Sequence, residues 1–191
     1  GDKQFLFFSG VYLGLTLGAV AVSGYKVKIV YLVQFHQMAH ILPFPEKNND
    51  LSETLEKYDE KQLAGVIIEP IQATAGLKFA DKQSLIKLRE FTTKNKIPLI
   101  FDETFTGFCR TGKMFGYEHF DVTPDIIILG KAISAGFPAG LVISTEEILT
   151  FWEKGTQSST FQLNPVAAAA SVFFLDQIKK HGLLNNISLQ S

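Results

Sequence analysis

The stretch 100–131, IFDETFTGFCRTGKMFGYEHFDVTPDIIILGK, constrains the fold of this chain more than any other. An apolar run, IPLIF at 97–101, ends on an acid, Asp102. A second run, IIILG at 126–130, ends on a base, Lys131. Ile-rich runs bounded by turn residues predict buried strands of a parallel sheet. In open α/β sheets, ligands bind beyond the carboxyl ends of the strands. The pattern therefore predicts an acid and an amine at the mouth of a sheet.

The other elements alternate in the same way. A strand is predicted at 5–8, then the turn Ser9-Gly10, then a helix over 11–22 with Tyr12 near its start. A further strand is predicted at 28–33, and the segment 34–49, with its prolines and histidines, reads as a loop. Asp50 is placed to cap a helix from Leu51 to about Glu60, with Glu53 at the capping-box position. A strand at 66–68 should stop at Glu69-Pro70, because proline cannot donate to the ladder. The sequence IQATAG then forms a loop. Asp81 caps the next helix, which presents Leu85, Leu88 and Phe91 to the core. Beyond Lys131 come a strand at 141–144, a short helix capped by Thr145, and a long helix capped by Asn164. That last helix has Pro165 at its first position and Gly182 as its stop. Strands alternating with helices predict an α/β fold with a mainly parallel sheet.

Composition narrows the function. Lys and Arg total 18 against 19 Asp and Glu, which leaves no basic footprint for nucleic acid. A single cysteine, Cys109, cannot form an internal disulfide, and a reducing intracellular setting, cytoplasmic by preference, is predicted. Residues 5–25 carry no charge and follow Lys3, the pattern of a signal segment or a membrane span. Ser9, Gly10, Gly14, Thr16, Gly18, Ser23 and Gly24 interrupt the run, so a buried strand and helix are predicted instead, with no membrane role. The chain has no initiating Met, which suggests a piece of a longer protein.

Glu69, Asp102 and Lys131 each end an apolar strand. If those ends align, they form a polar cluster over an apolar floor, a usual signature of function. Three solvated strand ends, or an ion pair, would read the same way. Lys131 sits in GKAIS, which is no phosphate loop: Asp125 stands at the first glycine position and Ala132 at the hydroxyl position. A lysine partly desolvated above a sheet can instead be a Schiff-base amine. His36 and His40 have the spacing of half a metal site on a helix, but no acid or thiol flanks them, so no metal is predicted. Cys109 lies beside Arg110 but has no nearby His, and it reads as a packed small residue.

Four stretches together resemble the class III pyridoxal-phosphate aminotransferases, the group of ornithine, acetylornithine and 4-aminobutyrate aminotransferases. They are GVYLGLTLGA at 10–19, IIEPIQATAG at 67–76, the segment 100–140, and STFQLNPVAAAA at 159–170. The resemblance implies a fold-type-I large domain over 1–191 and pyridoxal 5′-phosphate as cofactor. It also implies transfer of an amino group between an amino donor and an oxo acid or aldehyde. Lys131 would hold the cofactor as a Schiff base and then move the proton. Asp102 would keep the pyridine nitrogen protonated. Tyr12 would stack on the ring. Thr160 would reach the cofactor phosphate of a partner subunit in a homodimer. Glu69 and Gln72 would belong to the pocket wall. Phe105 stands where many members carry a Gln that contacts the ring hydroxyl.

Other departures are Leu13 for the family's usual His, Cys109 for a Gly, and Gln162-Leu163 for a Gly-Gly pair. The resemblance implies that the phosphate loop and a substrate-binding arginine lie outside this chain. An aminomutase or racemase would keep the same lysine and aspartate. The altered positions also suit a non-catalytic scaffold or dimer partner.

Overall fold

The computed structural model describes residues 3–24, 39–47, 51–156 and 158–190. The predicted strand at 28–33, His36 and Asp50 lie outside them. The chain forms two compact units, one of Gly1–Asp102 with Tyr117–Pro124, the other of Glu103–Gly116 with Asp125–Ser191.

The first unit is built on four parallel strands in the order β2-β1-β3-β6: β1 (Gln4–Phe8), β2 (Ala39–Leu42), β3 (Leu63–Ile68) and β6 (Leu99–Asp102). Alternate residues enter opposite layers, as the two-residue period of a strand requires. Leu6, Phe8, Val66, Ile68, Leu99 and Phe101 join one core. Phe7, on the other face, packs with Val11 and Ala39. Burial on both faces is what a parallel sheet needs, and it explains the unbroken apolar runs in the sequence.

Helix α3 (Lys82–Lys94) covers the first of these layers and buries Leu85 and Leu88 there, with Phe91 partly buried. Asp81 caps it as expected, accepting the Ser84 N–H at 2.9 Å.

Four expectations fail here. The helix predicted over 11–22 is only α1 (Leu17–Ala21), because Gly14 takes φ +117° and Thr16 is extended. The segment read as a loop at 34–49 contains β2, whose residues Ala39 to Leu42 pair with Phe5 to Phe8. The loop IQATAG holds β4 (Ile71–Gln72), which pairs antiparallel with β5 (Lys78–Phe79). The helix expected from Leu51 to Glu60 is cut to α2 (Ser52–Leu55), followed by a 3-10 turn at Glu60–Gln62. Among the described residues, no helix is long and apolar enough to cross a membrane.

The second unit pairs β7 (Ile126–Leu129) antiparallel with β8 (Leu141–Ser144). Thr145 precedes the short helix α4 (Glu146–Leu149), but its side chain makes no capping hydrogen bond. Helix α5 (Pro165–Lys180) starts where predicted, with the Asn164 side chain accepting the Val166 N–H at 2.9 Å. Gly182 separates it from α6 (Leu183–Gln190). The core gathers Phe108, Cys109, Leu129, Ile133 and Ile178. The Phe108 ring meets Phe115 and Phe174 edge-on, each at 5.9 Å between centroids, a favourable aromatic geometry.

Candidate active site

In the first unit, the carboxyl ends of β1, β3 and β6 carry most of the expected residues. Ile68 is paired with Phe101, so Glu69 and Asp102 follow at the same level on neighbouring strands. Both are nearly buried, at 5% and 7% exposure. The segment after β1 carries Tyr12, which is half-buried.

Two side chains from the segment after β3 hold that Tyr12 segment by its backbone. Glu69 Oε2 accepts the Tyr12 N–H at 2.8 Å. The Gln72 Nε2 donates to the Ser9 carbonyl at 2.9 Å. Gln72 is fully buried, and its Oε1 has no hydrogen-bond donor among the described residues. That oxygen lies against Gly10, which takes φ +83°; a Cβ on Gly10 would sit 2.6 Å from it. Glycine at position 10 is therefore needed twice, for its dihedral and for the space. The structure thus brings Tyr12, Glu69 and Gln72 together, through backbone contacts that no local spacing announces.

In the second unit, β7 ends at Leu129, and Gly130 leads into one 3-10 turn, Lys131–Ser134. Lys131 opens the turn at φ +48°, the left-handed region. That conformation costs a non-glycine residue about 1–2 kcal/mol. Strain of this sort clusters at functional positions. Lys131 was expected to be partly desolvated; it is exposed, because the turn carries it past the strand end.

The Lys131 Nζ lies 5.2 Å from the centroid of the Phe105 ring. The Arg110 guanidinium lies 5.1 Å from the same centroid, and its Nε donates to the Phe105 carbonyl at 2.7 Å. Thr160 stands on an exposed segment, beside Phe161 at 83% exposure.

One buried residue of this unit was not singled out from sequence. Glu103 is fully buried, and its Oε2 accepts the Gly116 N–H at 2.9 Å and the Thr106 hydroxyl. It ties the start of the 103–116 loop to its end. The close fit around Gly116, where a Cβ would meet Glu103 Oε2 at 2.9 Å, is the matching half of that arrangement. Cys109 is buried as expected, with Sγ 3.9 Å from the Met114 Sδ. His40 contacts Gln4 at 2.5 Å and the Tyr58 ring at 5.0 Å.

These strand-end residues sit in a chain whose residues 1–190 match the model of the aminotransferase class-III family. The chain belongs to that family. Among its relatives is the acetylornithine aminotransferase of Archaeoglobus fulgidus, 36% identical over 186 residues, covering 97% of this chain and 48% of that protein. The [LysW]-aminoadipate semialdehyde/glutamate semialdehyde transaminase of Sulfolobus acidocaldarius is 36% identical over 184 residues, covering 96% of this chain and 46% of that protein.

Among solved structures, an S-selective transaminase from Arthrobacter sp. with alanine bound aligns at a TM-score of 0.84 and 27% identity, over 95% of this chain and 46% of that one. The ornithine aminotransferase of Toxoplasma gondii aligns at 0.82 and 28% identity, over 96% of this chain and 43% of that one. The class-III chain described here thus spans about half the length of the relatives it matches, 48% in the Archaeoglobus fulgidus protein. Class-III aminotransferases are pyridoxal-phosphate enzymes.

Proposed function

We propose that the protein is the cofactor-binding large-domain portion of a pyridoxal-phosphate-dependent aminotransferase. It would move an amino group between an amino donor and an oxo acid or aldehyde. The observation that carries this reading is the family match over residues 1–190, which includes both Asp102 and Lys131. The chemistry of the donor set fits the cofactor: an amine for its aldehyde, a carboxylate for its ring nitrogen, an aromatic side chain for its face and a hydroxyl for its phosphate. When bound, pyridoxal phosphate supplies a carbonyl that takes up the amino group and a ring that accepts electron density.

The chain's own residues then have separate tasks. Lys131 would hold the cofactor through Nζ, and the same amine would move the proton at the amino-bearing carbon of the donor. The left-handed backbone at Lys131, φ +48°, supports this role, since strain of that kind clusters at functional positions. The Asp102 carboxylate would keep a proton on the ring nitrogen; its position at a buried strand end favours a fixed, oriented charge. Tyr12 would lie against the cofactor ring, and Glu69 and Gln72 fix the backbone that carries it.

The working form is a homodimer in which Thr160 reaches the cofactor phosphate of the partner, and the setting is cytoplasmic. The exposed apolar side chains around Thr160, Phe161 at 83% and Leu163 at 90%, support a covering partner.

The test is an assay for oxo-acid-dependent amino transfer, with visible absorbance of the cofactor-loaded protein as a second readout. Lys131→Ala should abolish both the transfer and the visible band. Asp102→Asn should keep the band and lose most of the transfer. An unchanged spectrum in Lys131→Ala removes Lys131 from the mechanism.

A further inference from the structure

We propose that Phe105 is a positioning residue for the reactive amine: its ring holds the Lys131 ammonium while no cofactor is bound. The inference rests on Lys131 being the cofactor amine. The aromatic face carries partial negative charge and attracts cations within about 6 Å of its centroid. Lys131 Nζ is at 5.2 Å, inside that range, and the ring is the partner the structure gives this amine among the described residues.

Phe105 is itself held in place. Arg110 lies at 5.1 Å from the same centroid and donates through Nε to the Phe105 carbonyl at 2.7 Å, so the backbone bond and the ring contact come from one side chain. Two cations share one ring without being forced together, because Arg110 and Lys131 are both exposed and keep their water. The backbone at Lys131 reinforces the arrangement. Its left-handed φ of +48° is fixed by the turn, which leaves the side-chain torsions as the freedom by which the amine reaches the ring or leaves it.

The consequence concerns the protein waiting for its cofactor. An ammonium resting on an aromatic face must leave that face and give up its proton before it attacks a carbonyl. Phe105 therefore guards the amine in the cofactor-free protein and points it along one line of departure. A side chain of similar size without a π-face would leave the Lys131 amine about two- to five-fold more available to a small carbonyl compound.

The experiment labels amines in the cofactor-free protein with trace acetic anhydride and reads each site by peptide mass spectrometry. Lys154, exposed in the same unit, is the internal standard. Phe105→Leu should raise the labelling of Lys131 relative to Lys154 by about two- to five-fold, the ratio expected for an exposed cation–π contact. Phe105→Tyr keeps the aromatic face and should stay at the unsubstituted value, while Phe105→Met, of similar volume but without a ring, should rise as Phe105→Leu does; a purely packing role would hold both at the unsubstituted value. An unchanged ratio in Phe105→Leu overturns the proposal, as does an equal rise in Phe105→Tyr. Circular dichroism of each variant shows whether it is folded. If Phe105→Leu unfolds, Phe105→Met takes its place: a raised ratio is expected, and a ratio equal to that of Phe105→Tyr overturns the proposal. If Lys131 were not the cofactor amine, Lys131→Ala would keep the visible band whatever the labelling showed, so the two failures are distinguishable.

Discussion

Replacing Gly10 by alanine tests how the Tyr12 segment is held. The new methyl would stand 2.6 Å from the Gln72 Oε1 and 3.0 Å from the Ala75 Cβ. Gln72 cannot swing aside freely: it is fully buried, and its Nε2 is engaged by the Ser9 carbonyl at 2.9 Å. Alanine at φ +83° costs about 1–2 kcal/mol in backbone strain. Losing the Gln72–Ser9 hydrogen bond adds about 1 kcal/mol. The expected destabilisation is therefore about 2–3 kcal/mol.

With a urea slope of about 2 kcal/mol/M, the unfolding midpoint should fall by about 1–1.5 M. Far-UV circular dichroism during equilibrium urea unfolding measures it. The double variant Gly10→Ala with Gln72→Ala removes the clash and should be more stable than the sum of the single effects by about 1 kcal/mol. A midpoint shift below about 0.3 M, or strict additivity of the two substitutions, would refute the reasoning.

Substitutions at three further positions probe the second unit. Glu103→Ala leaves the Gly116 N–H and the Thr106 hydroxyl without their buried acceptor and should cost about 2–4 kcal/mol, read as a fall in urea midpoint. Cys109→Val places a β-branched residue at φ +69° and should destabilise by about 2 kcal/mol, whereas Cys109→Gly should stay within about 1 kcal/mol because relief of strain offsets lost packing. Thermal unfolding of the two variants side by side checks the order. Asn164→Ala removes the cap on α5 and should cost about 1 kcal/mol, while Asn164→Asp should cost little, as measured by urea unfolding.

The sheet could be read from sequence because its strands are buried on both faces and so print continuous apolar runs, as at Val66–Ile68 and Leu99–Phe101. Helices α3 and α5 could be read because Asp81 and Asn164 announce their starts chemically. Strand β2 could not: four residues, AHIL, within a proline- and histidine-rich segment become a strand by pairing with β1, a tertiary effect. Apolar content over 11–22 suits a helix, but Gly14 and Thr16 commit the backbone to a loop before Leu17.

Asp102 and Lys131 stood out because a charge closes each apolar run. The work done by Glu69 and Gln72 was hidden, since each bonds to main chain 57 and 63 residues away. Glu103 was overshadowed by its neighbour Asp102, and its partner Gly116 lies thirteen residues on, with no periodic pattern linking them.

The central claim is that the Lys131 side chain takes the cofactor aldehyde. Adding pyridoxal 5′-phosphate to the protein, reducing with borohydride and locating the label by peptide mass spectrometry tests it most directly. The account predicts a phosphopyridoxyl group on the Lys131 Nζ. A label confined to other lysines, or none at all under conditions where the cofactor binds, would contradict it.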